Sequence, residues 1–245
     1  GAAGGDRKTL DVHMHLMECM TNLYELTESP LHKRRTRELV ELLLTRVLHP
    51  ETGLGIAQFT LDWKPLGQIL FADVWGSDRD VEEEARPMDN TSFGHNVEFG
   101  WLLWHTVEVL GLDPASFKSV LRRLLDHCLT YGIDWQRGGV YCEGPHAGPA
   151  RERNKEFWQQ AETLVGMLDG YRIFGDERYL DAYENVHRFV MDHVINHEVG
   201  EWYPLFDEQN NRLWDYMGHA WKINYHTVRA MLQSAARLKR IVDYS

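Results

Sequence analysis

The sequence lacks any apolar run approaching the ~20 residues that a bilayer span requires, so no membrane-crossing helix is expected. It has little concentrated positive charge: Lys33, Arg34 and Arg35, with nearby Arg37, form the one basic cluster against a net charge of −11. Nucleic acids and anionic membranes would be repelled by such a surface and are not expected partners. Cysteine is sparse and odd in number. Cys19, Cys128 and Cys142 are widely spaced with no CxxC pair, which fits reduced thiols in a cytoplasmic protein and disfavours a disulfide framework or a zinc site. The opening Gly-Ala-Ala-Gly-Gly has neither a basic nor an apolar region, so it reads as a linker or a cut end and not as a signal peptide.

What is present suits a packed core: 43% of the 245 residues are hydrophobic and 11% aromatic, which excludes a disordered chain. Nine Trp and ten Tyr serve equally as core filler or as stacking surfaces for sugar rings. Apolar residues recur at helical spacing, predicting helices over 9–26, 31–48, 94–111, 114–131, 155–174, 177–195 and 223–241. Segments with strand character, Ala57–Trp63, Gly139–Glu143 and Glu201–Phe206, lie between alternate helices. The stretch around 64–92 is irregular, and its charged run from Asp78 to Arg86 reads as a solvated loop or a site cover.

The helices fall into pairs. The first of each pair carries polar or aromatic residues three or four apart near its start: His15 and Glu18, His95 and Glu98, Trp158 and Glu162, His226 and Arg229. The second helices read as ordinary amphipathic segments. The result is a degenerate repeat of helical hairpins at an interval of roughly 65–80 residues, as in a solenoid or a closed toroid. In a toroid the inner helices would aim these residues at a shared cavity.

Four segments could carry chemistry. In Ser92-Phe93-Gly94-His95-Asn96-Val97-Glu98, a carboxylate one turn from an imidazole raises its pKa and orients it, as a general acid/base requires; the same pair also serves as a helix cap. In Trp221-Lys222-Ile223-Asn224-Tyr225-His226, two aromatic residues precede a helix-entry histidine, which suits a sugar ring stacked beside a base or a satisfied core histidine. In Lys155 to Glu162, Trp158 offers a platform with Gln160 or Glu162 bonding hydroxyls, or else begins a core helix. Asp11-Val12-His13-Met14-His15 has the form of a metal-binding strand end. No strand precedes it and a helix follows, so His13 and His15 diverge and no metal is expected.

In this order the segments resemble the N-acylglucosamine 2-epimerase superfamily, and its cellobiose 2-epimerase branch most. The matching stretches are His13 to Glu18, Ser92 to Glu98, Trp158 to Glu162, Gly200-Glu201-Trp202-Tyr203, and Trp221 to His226. The resemblance covers essentially the whole chain. It implies an all-α (α/α)6 barrel, of which 1–245 would be the C-terminal portion of a single domain with about seven helices and about four of six inner ones. It further implies that His95 and His226 act on C2 of a sugar, that Glu98 supports His95, and that His15 lines the site. Trp158 and Trp221 would stack on sugar rings, and Glu162, Asp11 and Tyr225 would complete the sugar-contacting set. No cofactor is implied. Departures are Asp11 in place of Asn, Phe157 in place of a frequent Trp, and a long connection after the first motif. The family's first inner helices and a site Arg have no counterpart here, so a preceding segment or a second chain is expected to close the barrel, with a homodimer left open. The implied activity is C2 inversion of an aldose or of a disaccharide's reducing-end glucose through an enediolate. Aldose–ketose isomerisation, a non-catalytic binding relative and a metallohydrolase are the alternatives.

Overall fold

The computed structural model describes residues 7–68, 85–219 and 222–243. Seven α-helices lie among them: α1 Leu10–Thr27, α2 Pro30–Leu42, α3 Phe93–Leu110, α4 Lys118–His127, α5 Phe157–Phe174, α6 Glu177–Phe189 and α7 Tyr225–Asp243. Each predicted helix is present, with boundaries shifted by a few residues. Short strands accompany them: β1 Arg7–Thr9, β2 Gln58–Thr60, β3 Pro65–Leu66, β4 Asn90–Ser92, β5 Glu143–Pro145, β6 Lys155–Glu156 and β7 Leu205–Phe206. The segment Asp78 to Arg86 lies outside the described residues except for its last two. No helix among the described residues is long and apolar enough to cross a membrane.

The chain divides into two compact units, Gly1–Thr91 with Phe99–Leu124, and Ser92–Glu98 with Leu125–Ser245. In the first, α1 packs on α2, β1 pairs with β2, and β2 with β3, all antiparallel. The second is built on α5, whose residues from Gln159 to Gly170 are all buried. A helix enclosed on every side belongs to a core. Around it pack α6, through Tyr179, Ala182, Tyr183, Val186 and Phe189 at helical spacing, and α7.

The second helix of each pair is amphipathic, as the sequence suggests, and carries a feature that the sequence does not announce. Each ends in one wider π-helical turn: Leu43–Val47 after α2, Cys128–Gly132 after α4 and Val190–Val194 after α6. In each the next amide reaches back five residues: Leu48 to Leu43, Ile133 to Cys128, Ile195 to Val190. Tight loops then follow with the same bonding, closed by the pairs Leu48 and Gly55, Ile133 and Val140, Ile195 and Trp202. A glycine turns each loop, at φ 70° for Gly53, 85° for Gly138 and 79° for Gly200, a region unfavourable to any residue with a Cβ. The side chain of His49, Asp134 or Asn196 accepts the amide two residues on.

These loops position the first helices of the pairs. Helix N-termini leave amides that need acceptors. Neither Thr9 nor Glu156 supplies a side-chain cap to α1 or α5. The first amide of each inner helix instead donates to the carbonyl four residues past the turning glycine: Leu10 to Ala57 (3.0 Å), Phe93 to Cys142 (3.1 Å) and Phe157 to Pro204 (3.0 Å). Each hairpin thus closes on its own inner helix and fixes where its first turn begins.

Candidate active site

Three inner-helix entrances of the second unit bring six of the expected site residues together. His95 is the third residue of α3, with its amide donating to Ser92 Oγ (3.2 Å). Trp158 is the second residue of α5, and His226 the second of α7. Both imidazoles pack on the Trp158 indole: ring centroids are 4.7 Å apart for His95, at 42°, and 5.6 Å for His226, at 40°. Tyr225 and Phe157 approach His226 edge-on at 4.8 and 6.2 Å.

Beneath His226 lies a buried charge cluster. Glu162, one turn along α5 from Trp158, is fully buried and sits 2.7 Å from His226 Nδ1. Arg229 Nη2 donates to Glu162 Oε1 (2.8 Å) and to the buried Glu98 Oε1 (2.5 Å), while Nη1 donates to the Tyr225 hydroxyl. The guanidinium also lies 4.1 Å over the Tyr225 ring. Burial pushes the Glu162 carboxyl up, but the charge of Arg229 and the hydrogen bond with His226 outweigh it and hold the carboxyl below the usual range. Glu162 is therefore ionised at neutral pH and acts as the acceptor for His226 Nδ1–H. This leaves Nε2 with the lone pair, because a neutral imidazole carries one donor and one acceptor.

Glu98, Glu162 and His226 each offer a ligand atom within 4.8 Å of the others, a set that could hold a metal ion. Arg229 already contributes a cation bonded to both carboxylates, so part of the charge that would attract a metal is compensated. A second bond of the same kind lies two turns further on: Asp169 on α5, fully buried, accepts Arg237 Nη2 of α7 (2.7 Å). The Trp-Lys-x-x-Tyr-His and Gly-Glu-Trp-Tyr segments are also joined, since Lys222 Nζ donates to Glu201 Oε1 (2.8 Å) and Met217 O (2.7 Å), 5.0 Å over the Phe157 ring.

Of the other expected site residues, two belong to the first unit and one is outside the described residues. Asp11 and His15 lie on α1 in the first unit, where His15 Nδ1 is 3.0 Å from Glu18 Oε2. The Asp-x-His-x-His string is helical, and His13 Nδ1 bonds Thr9 O (2.7 Å) with its ring edge-on to Trp63. Trp221 lies outside the described residues. Gln160 does not face hydroxyls: its amide bonds both Val140 N (2.7 Å) and Val140 O (2.9 Å), fastening the loop after α4. Spacing along the helix groups Arg229 with His226 but does not reveal what Arg229 bonds. Its carboxylate partners lie 67 and 131 residues away, beyond any local pattern.

The model of the N-acylglucosamine 2-epimerase (GlcNAc 2-epimerase) family matches residues 6–230. The chain belongs to this family. It is similar to the cellobiose 2-epimerase of Bacteroides fragilis, 27% identical over 232 residues, covering 93% of this chain and 53% of that one. It is similar also to the D-mannose isomerase of Marinomonas mediterranea, 25% identical over 229 residues, covering 90% and 54%. Among solved structures, the cellobiose 2-epimerase of Spirochaeta thermophila superposes with a TM-score of 0.79 at 30% identity, covering 96% of this chain and 53% of that one. The chain thus spans about half the length of the relatives it matches. Its fold class is all-α, an incomplete part of an (α/α)6 barrel.

Proposed function

We propose that the protein of which this chain is part inverts C2 of an aldose, or of the reducing-end glucose of a disaccharide, by proton transfer through an enediolate. One observation carries the reading: His226, held at Nδ1 by the ionised Glu162, shares the indole of Trp158 with His95. The C2 proton is acidic only beside an open-chain C1 carbonyl, so the reaction needs a base on one face of C2 and an acid on the other. In this reading His226 Nε2 takes the proton from C2, the electron pair moves onto O1, and His95 returns a proton to the opposite face of C2. The ionised Glu162 lies against His226 Nδ1 and stabilises the imidazolium that forms when Nε2 takes the proton. Trp158 and Tyr225 supply stacking surfaces for the sugar. Glu98, expected on His95, accepts from Arg229. His15, Asp11 and Trp221 remain assigned to the site by resemblance, as does the completion of the barrel by a preceding segment or a second chain. The single-domain assignment and a cytoplasmic location belong to the same reading; the three cysteines are free thiols.

Delivery of the proton to C1 instead would give a ketose, and the mannose isomerase relative favours keeping that outcome as the second reading. Proton NMR in D2O on cellobiose, mannose and N-acetylglucosamine separates the two: epimerisation gives a C2-deuterated epimer, isomerisation a ketose. His226→Ala is expected to lower turnover by about 10²–10⁴-fold with the melting transition intact. Undiminished turnover in that variant would discard the assignment.

A further inference from the structure

Glu156 is the last residue before α5, in extended backbone at φ −90° and ψ 142°, and is 9% exposed. Helix-entry positions favour short side chains that cap the first amides. Glu156 makes no such bond, and Pro204 O already serves the first amide of α5. Its Oε2 instead accepts the Trp158 Nε1–H at 2.5 Å. The stem of this carboxylate is fixed from two sides: Glu156 pairs with Leu205 across β6 and β7, and its carbonyl accepts Gln160 Nε2 (3.0 Å).

An indole has one polar atom, a donor, and the torsion that sets its plane is soft and roughly two-fold. A tether at Nε1 removes that freedom. The plane so fixed is the one on which both His95 and His226 pack, so a turn of the indole disturbs both contacts together. We propose that Glu156 is a positioning residue: its carboxylate fixes the Trp158 indole, and through it the tilt of the two imidazoles. This inference rests on the proton-transfer reading above. Glu156 acts through Trp158 and gains force from its charge, since hydrogen bonds to an ionised acceptor are roughly twice as strong as neutral ones.

The test uses the full protein labelled with 15N-tryptophan. The Trp158 indole N–H resonance, identified by its loss in Trp158→Phe, is expected downfield and slow to exchange. Glu156→Leu should move it upfield and speed its exchange, and Glu156→Gln, whose amide oxygen still accepts, should move it less. In parallel, Glu156→Leu should lower kcat for C2 hydrogen exchange about tenfold with a smaller change in KM, Glu156→Gln should restore most of that loss, and Glu156→Leu should add less than about twofold in the Trp158→Phe background. An indole resonance unmoved by Glu156→Leu overturns the tether whatever happens to activity. Losses that multiply across the two positions overturn the positioning role. A wild-type protein that exchanges no C2 hydrogen, yet shifts its indole resonance as described, refutes the proton-transfer reading and the catalytic half of this one together. Should Glu156→Leu fail to fold, the smaller shift in Glu156→Gln decides, and its absence overturns the proposal.

Discussion

Arg229 illustrates how a buried cation can set the state of the groups around it. Its guanidinium bonds two carboxylates that are fully buried, a bridge that the single point of a lysine ammonium cannot reproduce. Arg229→Gln leaves an uncompensated buried charge, and the expected loss of stability is about 3–5 kcal/mol, read by urea denaturation. The same change removes what holds the Glu162 carboxyl low, so the acid limb of the pH–rate profile should move to higher pH. Lys155 follows the same logic away from the site. Its Nζ is wholly buried and donates to Asp134 Oδ2 (2.8 Å), Gly138 O (2.7 Å) and Asn210 Oδ1 (2.7 Å). Lys155→Met should cost about 3–5 kcal/mol in a thermal or denaturant melt, because Asp134 keeps its charge without its partner. Neither role is visible in sequence, where Lys155 and Arg229 are two charged residues in amphipathic stretches. What could be read was the local grouping of imidazole, carboxylate and aromatic residues near helix starts, and six of those residues do meet.

At the scale of elements, two predictions isolate different physical terms. An added Cβ at Gly200 meets nothing within 4 Å, while its φ is 79°. Gly200→Ala therefore tests backbone conformation alone and should lower stability by roughly 1–2 kcal/mol in thermal unfolding. Gly166 has no such backbone demand but lies where α5 meets the first turns of α3, and a Cβ there would overlap Val97 Cγ1. Gly166→Ala should cost about 1–3 kcal/mol, and Val97→Ala in the same chain should recover much of it. Because α3 carries His95 and Glu98 while α5 carries Trp158 and Glu162, activity should fall with stability and return with it. The helices themselves were legible because their apolar spacing is a local property. The π turns were not. A bond that reaches back five residues instead of four changes no residue type, and Leu43–Val47, Cys128–Gly132 and Val190–Val194 share no sequence pattern that announces it. Strands β2, β5 and β7 lie in the intervals where the sequence has strand character but are shorter, since most of that length is loop closed by single pairs such as Ile195 with Trp202.

For the molecule as a whole, pH should act mainly from the acid side. Burial pushes the carboxyls of Asp134 and Glu162 up, yet Lys155 for the first and Arg229 for the second bring both below their ordinary values. A carboxyl depressed by folding contributes stability that is complete above the unfolded pKa, near 4, and is lost as pH falls through the folded value. Unfolding free energy should therefore begin to decline below about pH 6.5, where burial of His127 opposes its protonation, and decline further below about pH 4; Asp134→Asn should flatten part of the lower decline in denaturant titrations at stepped pH. The repeated closure of each hairpin by its own loop has a further consequence. Since the amides of Leu10, Phe93 and Phe157 are each satisfied from within the same pair of helices, each of these three pairs behaves as a self-sealed cassette. Extra length can be spliced between cassettes, and chemistry rewritten at an inner entrance, without loosening the seam that keeps the entrance in place.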